Sequence, residues 1–202
     1  MKRPIELVIA SSNKGKIREI SELVAHLPVQ LLSLSDFPLI GEIPETGSTF
    51  AENSEIKVRA VFDATGIASL ADDSGLVIDA LDGQPGIMSS RFAGEGASDA
   101  DRCALVLNLM KKVPENYRTA RFVASVCIVD TDGRAYFTEG VCEGVISRQP
   151  VGANGFGYDP IFYLPEFGKT MAQLLPDEKN FISHRGKAIR AAVEIIQTLV
   201  SE

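Results

Sequence analysis

Apolar and polar residues follow two periods along the chain, and together they predict both strands and helices. Residues 5–10 are apolar apart from one glutamate, which is typical of a buried strand. The next segment repeats apolar residues every three or four positions until Pro28, which predicts a helix. A second strand is predicted over 29–34. Thr49, with Glu52 three residues later, then predicts the capping box of a second helix.

The second half of the chain adds further strands and a last helix. Residues 68–79 predict an apolar strand that ends at two adjacent aspartates, then Ser-Gly and a second apolar strand. Alternation over 120–129, a Thr-Asp-Gly turn and the segment 135–146 predict a β-hairpin. A short strand is predicted over 161–163, and helical spacing of apolar residues predicts a helix over 183–200.

Composition narrows the class of protein. The chain has 202 residues, of which 45% are hydrophobic and 23% charged, so residues 1–202 are expected to form one domain or two tightly joined lobes. No apolar run approaches the roughly 20 residues of a membrane span, and no leader precedes the first strand, so we expect a cytoplasmic protein. The net charge of −7 argues against broad nucleic-acid or anionic-membrane binding. The three cysteines lack C-x-x-C spacing and indicate neither a disulfide framework nor a zinc site.

The first candidate for chemistry is the turn between the first strand and the first helix. Free N–H groups at the start of a helix, together with the helix dipole, favour an anion there. The turn lacks the Walker A pattern, and a plain strand-to-helix connection with two solvated lysines is the alternative. Its residues are Ser11, Ser12, Asn13, Lys14, Gly15 and Lys16.

The second candidate is the pair of carboxylates Asp72 and Asp73. Two neighbouring carboxylates at the end of a buried strand repel each other unless a cation or a proton relieves them. Carboxylate oxygens with room for phosphate oxygens and water suit Mg²⁺, which predicts a metal site. An Asx turn, in which the carboxylates bond their own backbone, is the alternative. Glu45 precedes the second helix and is by itself compatible with a solvated loop acid.

The third candidate is the glycine-rich segment 152–160. Its glycines allow a close approach of the backbone to a ligand, and Phe156 among them suits stacking on something flat. Lys179, His184 and Arg185 follow as donors for anionic or carbonyl-bearing ligands. A glycine-rich loop followed by a charged helix start is the alternative.

In this order the motifs resemble the Ham1/RdgB family of inosine triphosphate pyrophosphatases, over nearly the whole chain. The resemblance implies an α/β fold, with an elongated mixed central β-sheet flanked by helices and two lobes with a nucleotide cleft between them. It also implies a homodimer that splits nucleoside triphosphates into monophosphate and pyrophosphate, with substrates such as dITP, ITP and XTP. The motifs are Ser12-Asn13-Lys14-Gly15-Lys16, Glu45-Thr46-Gly47, Ala71-Asp72-Asp73-Ser74-Gly75, Gly155-Phe156-Gly157-Tyr158-Asp159-Pro160, Glu178-Lys179-Asn180 and Ser183-His184-Arg185-Gly186.

The resemblance also implies roles for single residues. The turn from Ser11 to Lys16 is expected on the phosphates, with Lys16 meeting the charge that develops in the reaction. Asp73 is expected to take the proton from the attacking water and to hold Mg²⁺ together with Glu45, with Asp72 as a further candidate ligand. Arg185 is expected to favour a 6-keto purine over adenine, since its donors would face the adenine amino group. The remaining substrate-binding residues implied are Ser74, Phe156, Gly157, Tyr158, Asp159, Lys179 and His184.

Two other classes of protein remain open from the sequence. A non-catalytic nucleotide-binding module would use the glycine-rich loop and the lysines equally well, but it has little use for acids that converge on one cation. A kinase or a phosphoribosyl-type transferase is disfavoured because no Walker A motif or kinase-type glycine loop occurs.

Overall fold

The computed structural model describes residues 5–201, and within them seven strands form one mixed sheet. The strand order is β2-β1-β3-β4-β5-β6-β7. β1 pairs in parallel with β2 and β3, whereas β6 pairs antiparallel with β5 and β7. The expected mixed α/β sheet is therefore confirmed. The strands are β1 (Ile5–Ile9), β2 (Val29–Ser33), β3 (Ser69–Ile78), β4 (Thr119–Val129), β5 (Ala135–Ile146), β6 (Phe162–Leu164) and β7 (Lys169–Thr170).

The main helices lie in the intervening segments, and most of them follow the predicted pattern. Thr49 caps the second helix by accepting a hydrogen bond from the Glu52 N–H at 3.1 Å, and Gly66 ends that helix with φ 67°. The hairpin between β4 and β5 is also confirmed, but the short helix before the last one has no predicted counterpart. The helices are α1 (Lys14–Val24), α2 (Phe50–Thr65), α3 (Asp99–Leu109), α4 (Pro176–Ile182) and α5 (His184–Ser201).

Two strand predictions are wrong in detail. β3 is one continuous strand through Asp72 and Asp73, not two strands separated by an acidic turn, and this excludes the Asx turn as well. The strand continues because successive side chains point to opposite faces, where each carboxylate meets its own cation, so repulsion does not interrupt it. The segment predicted as a strand over 161–163 begins one residue later, because Asp159–Ile161 forms a 3₁₀ turn.

The described residues divide into two compact units. The first comprises the chain up to Asp73, Ala124–Gly140 and the chain from Arg185 onward, and the second comprises Ser74–Val123 and Val141–His184. This division does not test the prediction of a single domain over residues 1–202, whose first four residues and last residue lie outside the described range.

Each unit has its own hydrophobic core. In the first unit, Leu70 of β3 packs with apolar residues of α1 and α5, while the next residue, Ala71, packs with those of α2. The second unit buries a cluster around Leu76, Met110 and Phe162. No helix in residues 5–201 is long and apolar enough to cross a membrane.

Candidate active site

Asp72 and Asp73 of β3 meet different lysines because alternate strand residues face opposite sides of the sheet. Asp72 Oδ2 lies 2.9 Å from Lys16 Nζ, which α1 supplies. Asp73 Oδ1 lies 2.8 Å from Lys57 Nζ, which α2 supplies. Both aspartates are buried. The first unit therefore concentrates acids and lysines around the middle of β3.

The backbone of Asp72 links the two lysines. β1 ends opposite Leu70, so the carbonyl group of Asp72 lies past the end of the β1 ladder. This carbonyl oxygen accepts hydrogen bonds from Lys16 Nζ at 3.2 Å and from Lys57 Nζ at 3.0 Å. Two ammonium groups thus share one oxygen atom beside the carboxyl end of a parallel strand, the edge of α/β sheets where ligands bind.

A buried ion network lies behind Asp72. The Arg185 guanidinium donates to Asp72 Oδ2 at 3.1 Å and to Glu19 Oε2 at 2.5 Å. Burial acts to raise the pKa of Asp72, but the charges of Arg185 and Lys16 outweigh it and hold that pKa well below its ordinary range. Asp72 is therefore a permanent anion that joins α1, β3 and α5.

Asp73 has a different electrostatic environment. Its Oδ2 atom is buried and has no hydrogen-bond partner among the described residues. Burial raises the pKa of Asp73 above its ordinary value, although Lys57 and Lys16 pull it down. A buried carboxylate oxygen that accepts no hydrogen bond and belongs to a group with a raised pKa can accept a proton from a bound water molecule.

Lys57 joins the two carboxylates that were predicted to share a metal ion. Its Nζ atom lies 2.9 Å from Glu45 Oε1 and 2.8 Å from Asp73 Oδ1. Burial lowers the pKa of Lys57, but the charges of Asp73 and Glu45 outweigh burial and raise it. Lys57 is therefore a fixed cation at this centre.

Lys16 is held less firmly in its charged form. Burial lowers its pKa below the ordinary value, with repulsion from Lys57 and Arg185 added, and the attraction of Asp72 does not compensate. A further anion near Lys16 would relieve this imbalance, and a phosphate group is such an anion.

The protein side chains by themselves supply only part of the coordination shell that a magnesium ion needs. Within residues 5–201 no group of three or more His, Cys, Asp and Glu side chains is placed to hold a metal ion. Mg²⁺, however, is commonly held by one or two carboxylates and completed by substrate phosphates and water. Glu45 and the Oδ2 atom of Asp73 supply hard oxygen atoms of that kind. The donor set thus suits Mg²⁺ with a phosphate-bearing ligand.

The turn before α1 is more occupied than the sequence suggests. Asn13 caps the helix, and its Oδ1 atom accepts hydrogen bonds from the N–H groups of Gly15 at 2.9 Å and Lys16 at 3.1 Å. Asn13 N–H in turn donates to Ser11 Oγ at 3.2 Å. Some of the backbone N–H groups that were expected to bind phosphate thus donate to side chains of the turn itself. Ser12 and Lys14 remain exposed.

The second unit presents a separate polar loop. Gly155 and Gly157 take φ of 75° and 64°, a left-handed conformation that favours glycine. Asp159 accepts from the Phe156 N–H at 3.0 Å and pairs with Lys179 Nζ at 2.5 Å. Lys179 Nζ also lies 4.7 Å from the centre of the Phe156 ring. The structure brings the four motif residues Gly155, Phe156, Asp159 and Lys179 together, and their binding of substrate stays a prediction.

Other predicted substrate-binding residues have structural contacts. Tyr158 is buried and donates its hydroxyl to the Ser89 carbonyl oxygen at 2.8 Å. His184 is buried with its ring stacked 4.7 Å from that of Phe122. Ser74 is half-buried within β3. Substrate binding by these residues stays a prediction.

The structure also identifies residues that sequence reasoning missed. Lys57 and Glu19 carry charges on the buried faces of α2 and α1, and neither was a candidate. A signal existed for Lys57, which lies four residues before the buried Val61 and therefore on the core face of α2. The donors of Arg185, by contrast, are engaged by Asp72 and Glu19, which makes base recognition by Arg185 a prediction without support from these contacts.

The fold and the site together define an α/β protein with a buried lysine–carboxylate centre in the middle of β3, beside the carboxyl end of the parallel strand β1. The Ham1 family model matches residues 7–195, and the chain belongs to the Ham1 family. A dITP/XTP pyrophosphatase of Desulforamulus reducens is 48% identical over 195 residues, which cover 96% of this chain and 97% of that protein. One from Listeria monocytogenes is 43% identical over 201 residues, 98% of this chain and 99% of that protein. The solved structure of a HAM1 protein from Coxiella burnetii superposes with a TM-score of 0.87 at 42% identity, covering 96% of this chain and 99% of that chain.

Proposed function

We propose that this chain is a pyrophosphohydrolase of non-standard purine nucleoside triphosphates, dITP, ITP and XTP, which it converts to the monophosphate and pyrophosphate. The observation that carries the proposal is the pair of ammonium groups of Lys16 and Lys57 on one carbonyl oxygen, next to the buried Asp73 carboxylate. Relatives that cover almost the whole chain are named dITP/XTP pyrophosphatases, which supports the substrate class.

Asp73 is the proposed general base. Its Oδ2 atom, which has no hydrogen-bond partner among residues 5–201, accepts a proton from the attacking water. Burial raises the pKa of Asp73 above its ordinary value, which makes the carboxylate a better proton acceptor than a solvated one. Lys57 keeps the other oxygen of Asp73 in place at 2.8 Å.

Glu45 and Asp73 are the proposed ligands of Mg²⁺. The ion supplies positive charge that neutralises phosphate oxygens and orients the leaving pyrophosphate. Lys57 holds one oxygen of each carboxylate and so fixes the two acids relative to each other before the ion arrives. Asp72 is left out of this set because Lys16 and Arg185 engage it.

Lys16 and the turn from Ser11 to Gly15 are the proposed phosphate-binding elements. A phosphate group near Lys16 would offset the effects of burial and of repulsion from Lys57 and Arg185, and so favour the charged ammonium form. As charge develops on the phosphate oxygens, this interaction strengthens, which gives Lys16 a catalytic role.

The loop of the second unit is the proposed base site. Phe156 stacks on the purine, and the pair of Asp159 and Lys179 meets its polar edge, since a carboxylate accepts from the N1–H of a 6-keto purine and an ammonium donates to its O6. The proposed base site also includes four further substrate-binding residues, Ser74, Gly157, Tyr158 and His184. Arg185 acts in this proposal chiefly through Asp72, although direct base contact by it remains a prediction.

Location and assembly follow from the resemblance and composition. We expect a cytoplasmic homodimer, and the three cysteines, which form no disulfide, agree with a reducing compartment. The net charge of −7 supports the expectation that neither nucleic acid nor membrane is a partner.

The test is the identity of the products. The purified chain is incubated with ITP, dITP, XTP or ATP and Mg²⁺, and the products are resolved by ion-exchange chromatography. Monophosphate and pyrophosphate should form from the first three and much more slowly from ATP, and excess chelator should stop the reaction. Release of orthophosphate and diphosphate would contradict the proposal. Binding without turnover would support the alternative of a non-catalytic module.

A further inference from the structure

The loop that carries Phe156 forms hydrogen bonds within itself and also to helix α3. The N–H of Gly157 donates to Asp99 Oδ2 at 2.7 Å, and the carbonyl oxygen of Gly157 accepts from Cys103 Sγ at 3.4 Å. Asp99 and Cys103 lie four residues apart and therefore on the same face of α3. The backbone N–H and carbonyl groups of Gly157 are thus both hydrogen-bonded to side chains of α3.

Asp99 is in turn held from its other side. Its Oδ1 atom pairs with Arg102, and Arg102 also donates to the carbonyl oxygens of Ser90 at 2.9 Å and Ala97 at 2.6 Å. The next residue of the loop, Tyr158, is tied to the neighbouring Ser89 carbonyl. A small hydrogen-bond network in the second unit therefore sets the position of the loop. Of the predicted site residues, only those in the loop itself belong to this network.

We propose that Asp99 is a positioning residue for base binding, which holds the Gly157 peptide so that the Phe156 ring is ready to stack before the nucleotide arrives. The inference rests on the proposed function, since it assigns the loop to the purine. Gly157 with φ 64° has many alternative backbone conformations without this hydrogen bond. Ordering the loop would then oppose binding.

The effect should be confined to binding of the base. Loop order contributes equally to the ground state and the transition state, so its loss raises KM and leaves kcat unchanged. Pyrophosphate lacks a base, and its inhibition constant should stay the same. A general disturbance of the fold would alter all three quantities.

The chain offers a matched control in the same helical turn. Asp101 is also a first-turn acid of α3, but its carboxylate accepts from the N–H and hydroxyl of Ser98 at 2.9 and 2.6 Å and does not contact the loop. Asp99→Ala and Asp101→Ala remove the same charge from the helix start, but only Asp99→Ala releases Gly157. Asp99→Asn keeps an oxygen that can accept from Gly157.

The experiment measures kcat and KM for ITP, and inhibition by pyrophosphate, in the full chain and these three variants. Asp99→Ala should raise KM roughly tenfold with unchanged kcat and pyrophosphate inhibition, while Asp101→Ala and Asp99→Asn stay within about threefold of the unchanged chain. Equal KM values in Asp99→Ala and Asp101→Ala would overturn the inference. So would an Asp99→Asn variant as impaired as Asp99→Ala, or weaker pyrophosphate inhibition in Asp99→Ala.

Failure of the proposed function gives a different result. If the unchanged chain does not turn over ITP, calorimetric binding of ITP replaces KM in the same comparison. Weaker binding by Asp99→Ala than by Asp101→Ala still supports the positioning role, whereas equal binding, or no binding by any variant, overturns it.

Discussion

Asp72 and Asp73 are consecutive aspartates on one strand whose environments push their pKa values in opposite directions. Asp72 is surrounded by the charges of Arg185 and Lys16, which keep it ionised. Burial has the largest effect on the pKa of Asp73 and raises it. Two carboxylates whose pKa values are pushed apart are suited to separate roles, which under the proposed function are a structural anion and a proton acceptor.

The first prediction concerns Asp73. Asp73→Asn keeps the shape of the side chain but removes the proton acceptor and a charge beside the proposed metal ion, so kcat for ITP should fall by at least about 10²-fold. Steady-state kinetics measures this, with circular dichroism to confirm folding. Asp79→Asn is the control, because Asp79 follows β3 but pairs with Thr119 and Arg121 at the surface. Near-normal turnover in Asp73→Asn would remove Asp73 from the mechanism.

The second prediction concerns Lys57. Its charge lowers the pKa of Asp73, so Lys57→Met should raise that pKa further and move the acid limb of the pH–rate profile to higher pH. The rate at neutral pH should also fall, by roughly tenfold or more, because the carboxylates lose their shared donor. Profiles of kcat between pH 5 and 9 measure the shift, and Lys57→Arg should restore much of it. An unshifted acid limb would show that another group controls it.

At the scale of elements, a buried arginine connects the end of α3 with the end of β5. Arg118 is 1% exposed, and its guanidinium donates to the carbonyl oxygens of Met110 at 2.6 Å, Ile146 at 2.7 Å and Ser147 at 2.8 Å. These carbonyl groups lie where a helix and a strand stop, and the Met110 carbonyl oxygen also accepts from the Val113 N–H at 3.1 Å. One side chain thus donates to three carbonyl groups at the ends of two elements.

The third prediction follows from Arg118. Arg118→Met removes the side-chain donor of three carbonyl groups and should lower the free energy of unfolding by about 2–3 kcal/mol. Urea titration followed by circular dichroism measures the loss. Arg121→Met, at the surface of β4, should leave stability nearly unchanged. The idea fails if both variants unfold at the same urea concentration.

At the scale of the whole molecule, stability depends on how buried charges respond to pH. The pKa of Asp72 is lowered in the folded chain, so its ionised form stabilises the fold fully above the ordinary value of 3.8. That contribution is lost as the pH falls from there toward the folded-state pKa. The molecule should therefore lose stability steeply in acid.

The fourth prediction tests this response. At pH 7, Asp72→Asn should be less stable than the unchanged chain by about 3–5 kcal/mol, since Lys16 and Arg185 lose a buried counter-charge. The difference should shrink as the pH falls below about 4, because the unfolded form of the unchanged chain then takes up a proton at Asp72, which favours unfolding and has no counterpart in the variant. Urea unfolding at pH 7 and pH 3 measures it, and a difference that is the same at both values would contradict the assignment.

The sequence alone determined most of the local elements and the family. Asn13 and Thr49 cap α1 and α2, the Thr-Asp-Gly turn makes the hairpin, and these features depend on residues within a few positions of each other. The positive φ values of Gly155 and Gly157 belong to the same group. Motif order likewise pointed to the Ham1 family, since it is a property of the chain and needs no contacts.

Only the tertiary structure decided how the buried charges are paired. Arg185 meets Glu19 and Asp72, which lie 166 and 113 residues away, so no periodic pattern marks the pairing. The same reasoning applies to Lys57, which becomes the partner of Asp73 only when α2 packs against β3. Burying a charge is costly unless a counter-charge is placed beside it, and packing of distant elements decides where that counter-charge is.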